Sequence, residues 1–169
     1  MKLAGYELTP KIKLNKVDLF LNGAAVRSKF FVQTYIIGLY AEKAITDENE
    51  AIDSNLERCL RMIIITPLAT AKAVSESIQS GMRDGLGSLY KAQKDLVDDI
   101  KNVVENSGVQ YQDSVDIYYT KKGELKLYKN EEEIYHNKDG KLFAQAIFGM
   151  YVGKKPKDAK MKTALLKGF

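Results

Sequence analysis

Residues 21–42 read LNGAAVRSKFFVQTYIIGLYAE, and the interpretation of this stretch decides the architecture. Within residues 29–42, Phe31, Tyr35, Ile37 and Leu39 fall on one side of a period-two pattern and Val32, Ile36 and Tyr40 on the other. A strand that is apolar on both faces needs cover on both, so the spacing predicts a long strand with structure packed above and below it. Asn22-Gly23 reads as punctuation between that strand and the one before it.

Upstream, Tyr6 and Leu8, Ile12 and Leu14, then Val17, Leu19 and Leu21 alternate with polar positions, interrupted at Pro10, which again predicts strands. Downstream, Thr46 is a candidate cap for a short exposed helix over Glu48 to Ile52, and residues 56–66 return to an Ile-rich strand. Two helices follow. Thr70 can cap the first, whose apolar positions Ala71, Val74, Ile78, Met82 and Leu86 recur at the helical period and predict a face turned to a sheet. Ser77, Gly81 and Gly85 form a second line four residues apart; glycine costs about 1 kcal/mol against alanine in a helix, so close packing or a break is expected there. Leu89, Leu96, Ile100, Val103 and Val104 mark the second helix, with Gly108 as its stop.

The remaining chain reads as a strand through Val115, Ile117 and Tyr119, a turn at Lys121-Lys122-Gly123, a strand through Leu125 and Leu127, and a third over Glu133 to His136. Asp139 can then start a helix through Phe143, Ile147 and Met150 that ends at Gly153, and Asp158 can cap a last one ending at Gly168. Strands, helices, strands, helices, with neither strict βαβ alternation nor an internal repeat, predict a single α+β domain over residues 1–169. Its helices are expected to pack on one face of a mainly antiparallel sheet.

Composition narrows the function. A chain of 169 residues buries about 70% of its unfolded surface, and 45% hydrophobic with 28% charged residues is the balance of a folded domain. The 26 basic and 22 acidic residues alternate along most of the chain, which does not favour nucleic-acid binding. The densest basic stretch, residues 154–167, reads as a solvated helix face, with a docking patch as the alternative. No apolar run approaches the roughly 20 residues of a membrane span. One cysteine, Cys59, and one histidine, His136, leave neither a disulfide nor a metal cluster, and Cys59 reads as a buried structural thiol. Phosphate loops, nucleophile elbows and dinucleotide fingerprints are all missing, so no cofactor is expected.

Arg27 stands out. It sits among small residues beside an apolar strand, where a guanidinium can hold a carboxylate or polarise a carbonyl, the alternative being an ordinary surface arginine. The stretch that contains it resembles the opening motif of the chalcone isomerase-like family, in its bacterial branch. LERCLRMIIIT, residues 56–66, resembles the family's next strand, and the end of the chain resembles its closing helices, with a Gly-x-x-Pro junction at Gly153 and a terminal Leu-Leu-x-Gly. The resemblance implies an open-faced β-sandwich with a ligand cleft between a large antiparallel sheet and its helices.

Of the five positions on which plant members rely for ring closure, the resemblance retains the arginine, as Arg27. The strand threonine falls on Tyr35, the helical tyrosine and asparagine have no counterpart in residues 70–84, and the late hydroxyl position falls on Met150. Efficient flavanone formation is therefore not expected. The resemblance implies instead a non-catalytic binder of a small hydrophobic carboxylate, fatty-acid-like in character, held by Arg27 and Tyr35 with Met150, Ile78 and Met82 as apolar contacts. An intramolecular lyase or isomerase with Arg27 as electrophile is the alternative. A monomer is expected, periplasmic or secreted with its signal peptide absent from this chain, or else cytoplasmic.

Overall fold

A computed structural model describes every residue except position 54. The chain opens with a two-stranded ribbon, β1 (Lys2–Leu3) and β2 (Tyr6–Glu7), followed by β3 (Lys11–Leu14), β4 (Val17–Lys29) and β5 (Val32–Ala41). Helix α1 (Glu48–Asp53) leads to β6 (Arg58–Ile64), then to the helical pair α2 (Ala71–Leu86) and α3 (Lys94–Asn106). Strands β7 (Ser114–Tyr119), β8 (Leu125–Lys129) and β9 (Glu132–Asn137) precede α4 (Lys141–Val152) and α5 (Ala159–Leu165). Strands β3 to β9 form one curled antiparallel sheet in sequential order, so α2 and α3 are an excursion out of an otherwise uninterrupted meander. The α+β expectation holds.

Alternation divides the sheet's side chains between two cores. Ile37, Leu39, Leu60, Met62, Val115 and Ile117 face the helices and pack with Val74, Ile78, Met82, Val97, Ile100 and Phe143. On the opposite face Ile12, Leu14 and Leu19 cover Tyr40, Cys59 and Tyr118, and Leu8 covers Ile36. Cys59 is fully buried there, and burial pushes its thiol well above the ordinary range, which leaves it inert.

Local signals set several boundaries as expected. Thr70 Oγ1 accepts the Ala73 N–H at the start of α2, and Asp158 accepts from Lys160 and Met161 at the start of α5. At α1 the cap is Asp47, not Thr46: its carboxylate accepts from the amides of Asn49 and Glu50, and a carboxylate at a helix N-terminus also complements the dipole. The second helix, α3, starts only at Lys94, so Leu89 lies before it in a short 3-10 turn over Gly87–Leu89; within α3 the buried stripe is Val97, Ile100 and Val104, with Leu96 exposed. The glycine line of α2 marks close packing on α4. A Cβ on Gly85 would lie 2.5 Å from the Ala146 carbonyl oxygen, and one on Gly81 would strike the Met150 sulfur.

Two features of the opening stretch differ from their sequence reading. Asn22-Gly23 is no turn; both residues lie inside the thirteen-residue β4, where a register shift between Leu21 and Gly23 accommodates them. The Asn22 side chain donates to the carbonyls of Ile45 and Leu165 and accepts from the Ile45 amide, each at 2.7 Å. A Cβ on Gly23 would stand 2.0 Å from the Ala164 carbonyl, so only glycine lets α5 approach. The true turn lies at Phe30-Phe31, with φ of 49° and 65°. Residues 29–42 are accordingly not one strand: β5 starts at Val32 and returns antiparallel to β4.

Candidate functional site

The hairpin of β4 and β5 places Arg27 directly opposite Tyr35, and Tyr35 in turn opposite Ile64 of β6. Directly opposed residues on one face have Cβ atoms about 5 Å apart, and Tyr35 packs against the helix-side core, so both side chains emerge on the face that carries α2. After β6 the chain turns at residues 66–69, where the Ala69 amide donates to the Thr66 carbonyl at 3.2 Å, and enters α2. The end of the sheet, this turn and the first half of α2 enclose a cleft of about 590 Å³. That volume suits a small organic ligand.

One wall is apolar, built by Met62 and Ile64 from the sheet and by Leu68, Ala69, Ala73 and Val74 from the turn and helix. Ser77 and Ser80, one turn apart on α2, add hydroxyls, and Arg27, Lys29 and Lys157 stand against a single carboxylate, Glu76. Arg27 is half-buried and has no ion-pair partner among the described residues. Burial and the positive charges of Arg27, Arg83 and Lys29 hold the Lys157 ammonium below the usual lysine range, while Asp84, 3.9 Å away, pulls the other way. The cleft is thus an apolar groove with a cationic side.

The Tyr35 hydroxyl is 2.9 Å from the Tyr151 hydroxyl of α4. Burial pushes both phenols above their usual range, Tyr151 well above it, so at neutral pH the pair is uncharged and serves as a hydrogen-bond donor rather than a base. Sequence reasoning missed Tyr151; its only signal was its place beside Met150. Thr34, which strict alternation from Tyr35 would turn to the other face of the strand, also borders the cleft, and its hydroxyl donates to the Arg27 carbonyl at 2.9 Å. The register shift between Arg27 and Ser28 accounts for that departure from strict alternation.

Arg27 and Tyr35 therefore come together, whereas the three apolar contacts do not join them. Ile78 and Met82 lie in the helix-side core: of the sheet-facing stripe 74, 78, 82 on α2, Val74 reaches the cleft, which otherwise takes residues 73, 76, 77 and 80 from the adjacent face. Met150 is buried over Gly81 and borders a separate depression with Gly85 and Gly149. The basic terminal segment is partly engaged within the fold, Lys162 contacting Glu48 and donating to the Gly153 carbonyl at 3.0 Å. His136 is paired with Glu124 at the far edge of the sheet.

A family model described as chalcone isomerase-like matches residues 1–167. A search of curated protein sequences returns no match. Among solved structures, a fatty-acid binding protein from Arabidopsis thaliana superposes with a TM-score of 0.79 at 13% identity, covering 96% of this chain and 92% of its own. At that identity the likeness is one of fold.

Proposed function

Because the chain belongs to the chalcone isomerase-like family, we propose that it uses the family's cleft to bind, without chemical conversion, an amphipathic carboxylate of fatty-acid character. The single observation that carries this reading is Arg27: a half-buried guanidinium with no carboxylate partner among the described residues, beside a neutral phenol and an apolar wall. A carboxylate head accepting from the guanidinium and the Tyr35 hydroxyl would supply the missing counter-charge. Each methylene laid on the Met62, Ile64 and Val74 wall contributes about 0.8 kcal/mol before the cost of association. The fold shared with a fatty-acid binding protein supports the same ligand class.

What favours binding over ring closure is the make-up of the α2 face: the residues of it that border the cleft are Ala73, Val74, Glu76, Ser77 and Ser80, none of them a phenol or an amide, and the two tyrosines lack the lowered pKa of a base. The test is displacement of a fluorescent fatty acid. Arg27→Ala is expected to weaken binding by about 1.5–3 kcal/mol, the range of hydrogen bonds to charged groups, with melting behaviour unchanged. Equal affinity in wild type and variant would overturn the reading.

Lys157 adds a pH signature. A bound carboxylate favours the protonated ammonium, so affinity is expected to be full where Lys157 is charged and to fall as pH rises through its lowered pKa. Titrating affinity from neutral pH upward checks this, and Lys157→Met is expected to flatten the profile.

A further inference from the structure

The sheet has three two-residue hairpin tips with both residues in the left-handed region: Asn15-Lys16, Phe30-Phe31 and Asn130-Glu131. Asparagine tolerates positive φ in such turns, and two of the tips carry it at their first position, followed by a charged residue. Phe30-Phe31 has it at neither position, placing two aromatic residues where the backbone disfavours them and where the rings reach water, 85% and 105% exposed. Leu68, 77% exposed, stands on the turn between β6 and α2, and Phe30 and Leu68 both line the cleft. Lys29 lies over the Phe30 ring at 5.7 Å, and with Arg27 and Lys157 it makes three cations around this opening, against Glu76 in the cleft and Asp84 3.9 Å from Lys157.

We propose that this tip docks on an anionic phospholipid bilayer, Phe30 and Phe31 inserting among the headgroups with Leu68 beside them, so that the cleft opens against the acyl layer. The clause about the opening rests on the carboxylate-binding reading; the docking itself does not. Aromatic and aliphatic side chains flanked by lysine and arginine form an interfacial anchor, the apolar part entering the acyl boundary and the cations meeting anionic headgroups. Shape selects the bilayer over a protein. A specific protein interface buries about 1,200 Å² or more over a broad patch, whereas two side chains on a protruding turn and one leucine form a wedge.

The experiment is co-sedimentation with vesicles of phosphatidylcholine alone and of phosphatidylcholine with phosphatidylglycerol at three to one, for wild type, Phe31→Gly and Phe30→Asn/Phe31→Gly. Both substitutions place residues suited to this turn, so melting temperatures are expected to hold or rise, which separates lost docking from lost folding. Wild type is expected to partition onto the anionic vesicles, more weakly onto neutral ones and more weakly at high salt. Phe31→Gly is expected to reduce partitioning by about tenfold or more, the effect of withdrawing one phenylalanine from an apolar environment.

Phe31 does not line the cleft, so fatty-acid displacement without vesicles separates the two readings. Lost docking with intact displacement supports both, and lost docking in a protein that never binds the fluorescent fatty acid supports docking alone. Failure of wild type to sediment with anionic vesicles, or undiminished sedimentation of the double variant, overturns the proposal. So does sedimentation velocity that shows a wild-type dimer and a monomeric double variant without vesicle binding, since the tip would then be a self-association surface.

Discussion

Replacing Asn22 with leucine is expected to cost about 4 kcal/mol, because three buried groups lose their partners at once. The amide donates to the carbonyls of Ile45 and Leu165 and accepts from the Ile45 N–H, all at 2.7 Å, in a site from which water is excluded. Each stranded group costs about 1–3 kcal/mol, and the leucine side chain restores none of the bonds. Against the 5–15 kcal/mol typical of a domain's whole stability, roughly, this is a large fraction. Urea denaturation of wild type and Asn22→Leu checks the value, and a loss under about 1 kcal/mol would show that the surrounding backbone finds other partners. Asn22→Asp sharpens the test. Its carboxylate would face two carbonyl oxygens, so the variant is expected to be at least as unstable at neutral pH and to recover on acidification, when the protonated acid regains one donor. The clamp joins α5 and the segment after β5 to the strand that carries Arg27 five residues later, so loosening it is expected to weaken the cleft as well.

The same pair shows where local sequence signals stop. Asn-Gly is the strongest short-range turn signal because both residues tolerate positive φ, yet here neither residue is used that way. Asn22 is fixed by partners 23 and 143 residues distant, and Gly23 by the closeness of α5; none of that has a local signature. Conversely, Phe30-Phe31 reads as strand because phenylalanine favours strands, and the extensive pairing of β4 with β5 overrides that preference and puts the turn there. The meander and the caps at Thr70 and Asp158 were legible because each rests on period-two alternation or on a side chain bonding its own next turn. Arg27 and Tyr35 were legible as a pair through the family motif. The cleft's helical wall was not, since adjacent stripes of one helix differ only by rotation, and that rotation is set by how Gly81 and Gly85 seat α2 on α4.

Removing the Asp116 carboxylate is expected to destabilise the fold by about 3–5 kcal/mol, the cost of leaving a buried charge without its partner. Arg61 reaches Asp116 with two parallel bonds, Nε to Oδ1 and an Nη to Oδ2, both 2.7 Å, from neighbouring positions on β6 and β7. The Asp116 side chain is fully buried and that of Arg61 only 11% exposed, so water cannot replace the lost half of the pair. Alternation puts them on the face away from the helices, with the Tyr40 ring 5.9 Å from the guanidinium, whereas Arg27 and Tyr35 lie on the other face. Stability and binding are therefore expected to separate: Asp116→Ala lowers the urea midpoint while fatty-acid affinity, measured well below that midpoint, stays at the wild-type value. The double variant Arg61→Met/Asp116→Val is expected to recover most of the loss, because two apolar side chains remove the desolvation cost together with the attraction. If the double variant were as unstable as the sum of its single changes, Arg61 and Asp116 would act independently. The buried pair would then not be the element that ties β6 to β7 beneath the cleft.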